Sequence, residues 1–509
     1  MVWTWLASFG VLFVAVAAWS FASPLGSGPD EPAHLDRAAS LVRGQLLGTP
    51  LSHPTNFEKA DVTVTLPEVF ASLANDLGCF QFKSRVPAGC AKPLPASTKD
   101  VATQTYVGRY PPFYYALVGL PTLVLVSAKG IYAARLVSGA LCAAMLALAV
   151  VSLRRARGAP LLAAGAALAV TPMVLYLGAV INPSGLEIAA ATSAWTAAMA
   201  LASQPPGELG NSAIGSLGFS AAVLILVRSL SPLWALAVLA ALVLVGLRSS
   251  WRDLLRRRAV QAWLGICLLS AVAAGVWDLY ANPFLTEPGT PVAAHTSETG
   301  VVVLAIERLD LLVTSSVGFF GWLDAPSPEA VIVTWLAALG LLVLTAAALG
   351  RARAVTAMAM TLAAWVVTPV VIAVAQARSE GILGQGRDYL GLAVGIPIIA
   401  GAVARDRFGD RAKSLRLVSI VVVLLAASQL ADFYAALRRY TVGTNGPLSA
   451  FVHVAGGWAP PVPALLLLVM FAVAMGAFAL LLRQAAGSQL PVIVTQDPDE
   501  MISRVIVVD

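Results

Sequence analysis

Apolar stretches of about 20 residues, broken by short arginine-rich clusters, leave this chain few folds. The stretches fall near 3–22, 112–128, 131–153, 160–181, 185–203, 213–228, 231–247, 260–280, 329–350, 354–375, 389–404, 417–436 and 462–482 of the 509 residues. In hydrocarbon a backbone must satisfy its own polar groups, so a spanning segment is a helix of about 20 apolar residues. Composition agrees: 58% of residues are hydrophobic, 12% are charged, and mean hydropathy is +0.81. A soluble domain carries about a quarter charged residues. Disorder, a soluble enzyme and a nucleic-acid-binding protein are excluded. The net charge of +6 sits in short clusters that read as membrane topology, and no nucleic-acid partner is expected.

Four clusters, Arg154–Arg157, Arg248–Arg258, Arg351–Arg353 and Arg405–Arg416, hold 15 Lys/Arg against three Asp. The positive-inside rule places them in the cytoplasm. The loop 23–110 carries eight basic and eight acidic residues, and its neutrality places it outside. Counting crossings then puts 182–184, 281–328, 376–388 and 437–461 outside as well. Parity forbids a crossing by 112–128, which opens on Pro111-Pro112 and is expected to be re-entrant or interfacial. It also forbids one by 301–320, which contains Glu307, Arg308 and Asp310 and is expected to lie as an amphipathic helix on the outer surface. The expectation is an all-α polytopic membrane protein of about 12 crossings, with both termini inside. Residues 1–482 form one transmembrane domain, with outer loops 23–110 and 281–328, and 483–509 form a cytoplasmic tail. The first stretch lacks a basic start and an A-x-A site, and reads as a retained helix, not a signal peptide.

Of the cysteines, Cys142 and Cys267 lie in apolar stretches and are expected to pack there. Cys79 and Cys90 share the outer loop, where an oxidising compartment predicts a disulfide.

All four histidines and the longest polar loops fall on the outer side, so a functional site should face outward. The sharpest feature follows the first helix: Pro29-Asp30-Glu31-Pro32-Ala33-His34. In a helix Asp30 and His34 are i,i+4, and Glu31 and His34 are i,i+3, so they share a face. Two readings stand: a helix capped by Asp30 with ordinary surface charges, or a functional carboxylate pair. Gly108-Arg109-Tyr110-Pro111-Pro112-Phe113-Tyr114-Tyr115 marks the loop's return to the membrane. Gly384-Gln385-Gly386-Arg387-Asp388-Tyr389 precedes an outward helix entry, and Arg228 ends 213–228. Arg109, Arg228 and Arg387 could each snorkel. Three of them on the side poor in arginine point to an anionic ligand at the outer interface. Asn182-Pro183-Ser184-Gly185-Leu186-Glu187 and Gly321-Trp322-Leu323-Asp324-Ala325-Pro326 are smaller features that turn chemistry alone would explain.

These residues resemble two known groups. Asp30-Glu31 in the first outer loop is similar to the signature of the GT-C superfamily of membrane glycosyltransferases, which use lipid-phosphate sugars. More closely, PDEPAH, RYPPFYY, NPSGLE, GWLDAP and QGRDY, over roughly 20–480, resemble a bacterial, actinobacterial-type family of predicted multi-pass membrane proteins. The resemblance implies that Asp30 is the catalytic base for an acceptor hydroxyl. Glu31 and His34 would orient it, or Asp30 and His34 would hold a divalent metal ion, which some members of the superfamily use. Arg109, Tyr110, Arg387 and Tyr389 would lie near the donor phosphate, Arg228 joins them by its outer position alone, and Asn182, Glu187 and Asp324 are further candidates for contact with donor or acceptor. The pattern departs at Asp388, which stands where an aromatic is expected directly after the arginine. The implied partners are a polyprenyl-phosphate-linked sugar, a glycan or lipid acceptor of the cell envelope, and membrane lipids, in the cytoplasmic membrane. The rivals are a transporter or flippase of a lipid-linked intermediate and a non-catalytic envelope scaffold. Acidic residues buried mid-span would favour transport, and almost none are evident, since Glu187 and Asp278 lie near outer ends.

Overall fold

The computed structural model describes all residues except 56–57, 157–159, 205–209, 248–249, 285–290, 380, 383, 405–410, 450–456 and 489–509, and the backbone alone of 411–413. Tail residues 489–509 and His453 thus lie outside the described residues.

The helices follow the apolar stretches. They are α1 (Val2–Ala22), α2 (Glu31–Val42), α3 (Pro112–Val118), α4 (Ala128–Arg155), α5 (Leu161–Ala169), α6 (Pro172–Ala179), α7 (Pro183–Ser203), α8 (Asn211–Val227) and α9 (Ser231–Val245). After these come α10 (Arg258–Ala281), α11 (Glu298–Glu307), α12 (Leu309–Gly318), α13 (Glu329–Leu349), α14 (Ala352–Gln376), α15 (Gly386–Ala393), α16 (Gly395–Val403), α17 (Arg411–Val442) and α18 (Ala464–Ser488).

Among the described residues eight helical segments are long and apolar enough to cross a membrane, or nine when α5 and α6, bent by 51°, count as one span. This is fewer than the twelve read from the sequence. The remaining three stretches form α7, α8 and α9. Helix α7 has 21 residues, all buried, including Glu187 and several Ser and Thr. Wrapped in protein, it needs no apolar surface of its own. Helices α8 and α9 have 17 and 15 residues, so they are roughly 25 and 22 Å long, short of a hydrocarbon core of about 30 Å. The stretch 112–128 folds as α3, of seven residues, and the four-residue turn Pro121–Val124, neither long enough to span. The stretch 301–320 breaks at Arg308 into α11 and α12.

Hydrogen bonds identify the two ends of the bundle. Arg154 donates to Thr4 at 2.8 Å and Arg155 to Ser216 at 2.7 Å, so the first basic cluster lies beside the starts of α1 and α8. The segments after α1 and α8, before α7 and before α15 gather at the opposite end.

The first long loop is not purely helical. Besides α2 it builds an antiparallel sheet, β1 (Thr49–Pro50), β2 (Val62–Pro67) and β3 (Asp100–Thr105), with Val62 opposite Thr105. The alternation Val62-Thr63-Val64-Thr65-Leu66 buries its apolar members against α2, as period 2 requires. Cys79 and Cys90 form a disulfide (S–S 2.06 Å), while Cys142 and Cys267 are free. Arg439 on α17 holds this loop. It pairs with Asp324 at 3.0 Å and donates to the carbonyls of Phe80, Lys83 and Val86. Both members of the pair are buried.

Candidate active site

A cavity of about 510 Å³ opens at this gathered end, lined by Asp30, His34, Tyr106, Tyr110, Asn182, Ser184, Arg228, Arg308, Arg387, Asp388 and Tyr389, with an apolar part from Phe284, Leu311, Leu312, Pro369, Ile372 and Ala373.

Asp30 occupies the N-cap position of α2, but its carboxylate makes no capping bond. It accepts instead from the Tyr106 hydroxyl (Oδ1, 2.6 Å) and from Nη2 of Arg387 (Oδ2, 2.5 Å). The capped surface helix is therefore not what forms. The Asp30 backbone is left-handed (φ 58°, ψ 11°), a region that Asp enters more readily than most residues but at a cost. Burial favours the neutral acid here, yet Arg387 and the Tyr106 hydrogen bond outweigh it and hold the Asp30 pKa below the usual carboxylate value. The side chain is ionised at neutral pH and is 26% exposed.

Two features set its place. Asn182, the N-cap of α7, accepts from the Ser184 amide and donates Nδ2 to the Pro29 carbonyl at 2.9 Å. Glu31, fully buried, is gripped by Arg135 of α4: Nε to Oε1 at 2.6 Å and Nη2 to Oε2 at 2.5 Å. The amides of Gly28 and Ile181 also donate to Glu31. Arg135 in turn donates to the carbonyls of Ser20, Ser23 and Pro24.

Glu31 thus does not line the cavity, and its carboxylate is held by Arg135 instead. One residue of helix turns a side chain by about 100°, so adjacent carboxylates face different surroundings. Arg109 also departs from its expected place. It donates to the Ala281 carbonyl at 3.2 Å and does not line the cavity. Asp324 is spent on Arg439. Glu187 lies behind the wall, where it pairs with Arg228 at 3.1 Å and accepts from Ser231 and Trp234. Arg228, held also by Asp388 at 3.5 Å, does face the cavity.

Arg387 enters at the start of α15, where a capping box of Gln385 and Asp388 fixes the turn. A Cβ at Gly386 would stand 2.5 Å from the Leu312 carbonyl and the Ser316 amide, so only glycine allows this approach to α12. Arg387 is 7% exposed, and its Nη1 has no hydrogen-bond partner among the described residues. His34 shares its Nδ1 contact with the Tyr115 hydroxyl at 2.8 Å, and burial pushes its pKa down to about 3, so the ring is neutral.

The donor set does not fit a divalent metal ion. Among the described residues no group of three or more His, Cys, Asp or Glu stands together, and the Asp30 oxygen nearest Arg387 is already covered. The pair Asp30 and His34 therefore lacks the ligands a hard cation needs.

Sequence reasoning missed Tyr106, Arg308, Arg135 and Arg439. For Arg135 there was a signal, since an arginine inside an apolar stretch is costly without a carboxylate. It also missed Asp432, buried within 417–436 on α17.

The model for a family of predicted membrane proteins (DUF2142) matches residues 12–396, which include Asp30, Asn182, Arg228 and Arg387. The chain belongs to that family. No curated protein matches it. Among solved structures it is similar to ArnT from Cupriavidus metallidurans bound to undecaprenyl phosphate, at 15% identity and a TM-score of 0.44, over 94% of this chain and 77% of that one. It is likewise similar to the same ArnT in the apo state, at 14% identity and a TM-score of 0.44, over 94% and 78%.

Proposed function

We propose that this DUF2142 member is a membrane glycosyltransferase. It moves a sugar from a polyprenyl-phosphate donor to a cell-envelope glycan or lipid-linked acceptor, on the outer face of the cytoplasmic membrane. One observation carries the reading: Arg387 joins the two halves of such a reaction. Its Nη2 holds the Asp30 carboxylate, and its buried Nη1 is left without a partner among the described residues, in a cavity whose lining combines charged and apolar side chains. A polyprenyl phosphate, an anion on a hydrocarbon chain, calls for both.

The chemistry balances with these groups. The acceptor oxygen forms a bond to the anomeric carbon while the bond from that carbon to the phosphate oxygen breaks. The electron pair leaves with the phosphate, where Arg387 and Arg228 oppose the growing charge. The acceptor proton passes to Asp30, whose oxygens each keep a second lone pair beyond the bonds to Tyr106 and Arg387. A phosphate needs no general acid to leave. Neutral His34, with Tyr115, packs beside Asp30 without adding charge.

The rival, transport of a lipid-linked intermediate, has Asp432 in its favour, but that residue does not line the cavity. Purified chain in nanodiscs, given polyprenyl-phosphate sugar and envelope acceptor, should release free polyprenyl phosphate in step with glycosylated product. Movement of the intact lipid between leaflets, with no phosphate lipid released, would establish the transporter instead.

A further inference from the structure

The charges of the cavity wall do not cancel. It holds three arginines, 228, 308 and 387, and two aspartates, 30 and 388. Arg387 is paired with Asp30, and Arg228 with Asp388 and with Glu187 behind the wall. Among the described residues the Arg308 guanidinium makes no ion pair and no hydrogen bond, its only bonds being those of the backbone to Leu304 and Leu312, although Glu307 and Asp310 flank it in sequence. It stands at the break between α11 and α12, exposed to solvent.

Its neighbours on the wall define a path. Ala305, Arg308, Leu311 and Leu312 recur at helical spacing, so they present one apolar face interrupted by a single cation. Pro369, Ile372, Ala373 and Gln376 form the corresponding face of α14, and α11 packs on α14. Helix α12 packs on α15, with the Ser315 hydroxyl accepting from the Gly386 amide at 2.9 Å, which brings the Arg308 helix pair to the turn that carries Arg387.

We infer that Arg308 binds the phosphate of the lipid donor, which then lies between its guanidinium and the free Nη1 of Arg387, with the first isoprene units against the faces of α12 and α14. This rests on the reading of the cavity as a lipid-phosphate site. Arg308 adds a cation that no carboxylate of the wall already pairs with. It belongs to a segment that sequence alone would assign to a surface helix.

The test uses the full chain in phosphatidylcholine nanodiscs, titrated with undecaprenyl phosphate, with undecaprenol, and with undecaprenyl phosphate in the presence of millimolar inorganic phosphate. Losing a charge-assisted hydrogen bond, Arg308→Ala should weaken undecaprenyl phosphate binding by about 10- to 100-fold. It should leave undecaprenol binding unchanged, and Arg308→Lys should recover most of the loss. Added salt should weaken wild-type binding more than that of Arg308→Ala. Unchanged affinity in Arg308→Ala alongside a clear loss in Arg387→Ala overturns the inference and leaves the site reading intact. Absence of undecaprenyl phosphate binding in the wild type overturns both. Displacement of the lipid by millimolar inorganic phosphate would make Arg308 part of a general anion site and overturn its lipid assignment.

Discussion

Asp30→Asn separates the two roles that meet at Arg387. The amide has the shape of the carboxylate and still accepts from Tyr106, but it neither takes a proton nor carries charge. Loss of a general base costs about 10²–10⁴ in rate, roughly 3–5.5 kcal/mol of barrier. The same change should tighten donor binding. A phosphate on Nη1 of Arg387 sits across one guanidinium from Asp30, about 7 Å from its carboxylate. At an effective dielectric constant of about 20, two unit charges at about 7 Å repel by roughly 2.4 kcal/mol, an upper limit equal to about 50-fold in affinity. The expected signature is thus a slow enzyme that binds its donor about 5- to 50-fold more tightly. Single-turnover transfer from a labelled polyprenyl-phosphate sugar gives the first quantity, and equilibrium lipid binding in nanodiscs the second. Transfer at near the wild-type rate refutes the base. A fall in rate with an equal fall in donor affinity refutes the shared arginine, since Asp30 would then merely hold Arg387 in place.

Five further outcomes are expected. Glu31→Gln leaves Arg135 charged, fully buried and without its counter-ion, so it should cost about 3–5 kcal/mol of stability, read as a large fall in melting temperature, and Glu31→Gln/Arg135→Met should cost less than the single change. Cys79→Ala/Cys90→Ala opens a ring of about 12 residues and should cost about 2–3 kcal/mol, with melting the measurement; an unchanged melting point would show the Arg439 clamp to be sufficient. The rate of transfer should be flat between about pH 5 and 8, because Asp30 is ionised and His34 neutral throughout. His34 should make its mark on stability instead: its folded pKa of about 3 lies below the ordinary 6.5, so the unfolded chain takes up the proton first and stability falls as pH drops below 6.5, whereas His34→Asn should flatten that slope. Finally, cysteines introduced at Ser97 and Thr444 should react with an impermeant reagent from outside intact cells, and one at Ser250 should not; the reverse pattern would invert the proposed face of the site.

Much of the fold was legible because bilayer physics writes it plainly. Apolar length marks the spans, arginine clusters mark one end, and alternation then brings Asp30, Asn182, Arg228 and Arg387 to the other. Tyr110 and Tyr389 reach the cavity for the same reason, as residues at helix entries on one side. What stayed hidden depends on side-chain direction. Asp30 and Glu31 are adjacent in sequence and their carboxylates face a cavity and a buried arginine, respectively. Arg109 and Arg387 occupy similar interfacial turns, yet one is tied to a helix end at Ala281 and the other crosses to Asp30. Hydropathy overcounted spans by the strict measure because α7 is shielded by protein, so its burial reports packing and not lipid, and because α8 and α9 are apolar but short. The sheet escaped notice because its strands lie in a polar loop, where Val62 to Leu66 is the only alternating run long enough to show.

The placement of Asp30 has a cost, and the structure shows how it is offset. A non-glycine residue in the left-handed region is strained by about 1–3 kcal/mol, and Asp30 also forgoes the capping bond that would stabilise α2 by about 1 kcal/mol. Such a conformation persists only when both flanks are fixed. Upstream, the Pro29 carbonyl is held by Asn182. Downstream, Glu31 is fastened to Arg135 and to the amides of Gly28 and Ile181. The anchor is made of the costliest kind of contact, a fully buried ion pair, which is a poor source of net stability but a precise one of position. Its effect is to aim the Asp30 carboxylate at Arg387 before any ligand arrives. On the proposed reading, with Asp30 as base and Arg387 as anion-binding group, a pair already in register needs no reorganisation as charge moves from acceptor to phosphate, and that is the condition under which fixed electrostatics lower a barrier most.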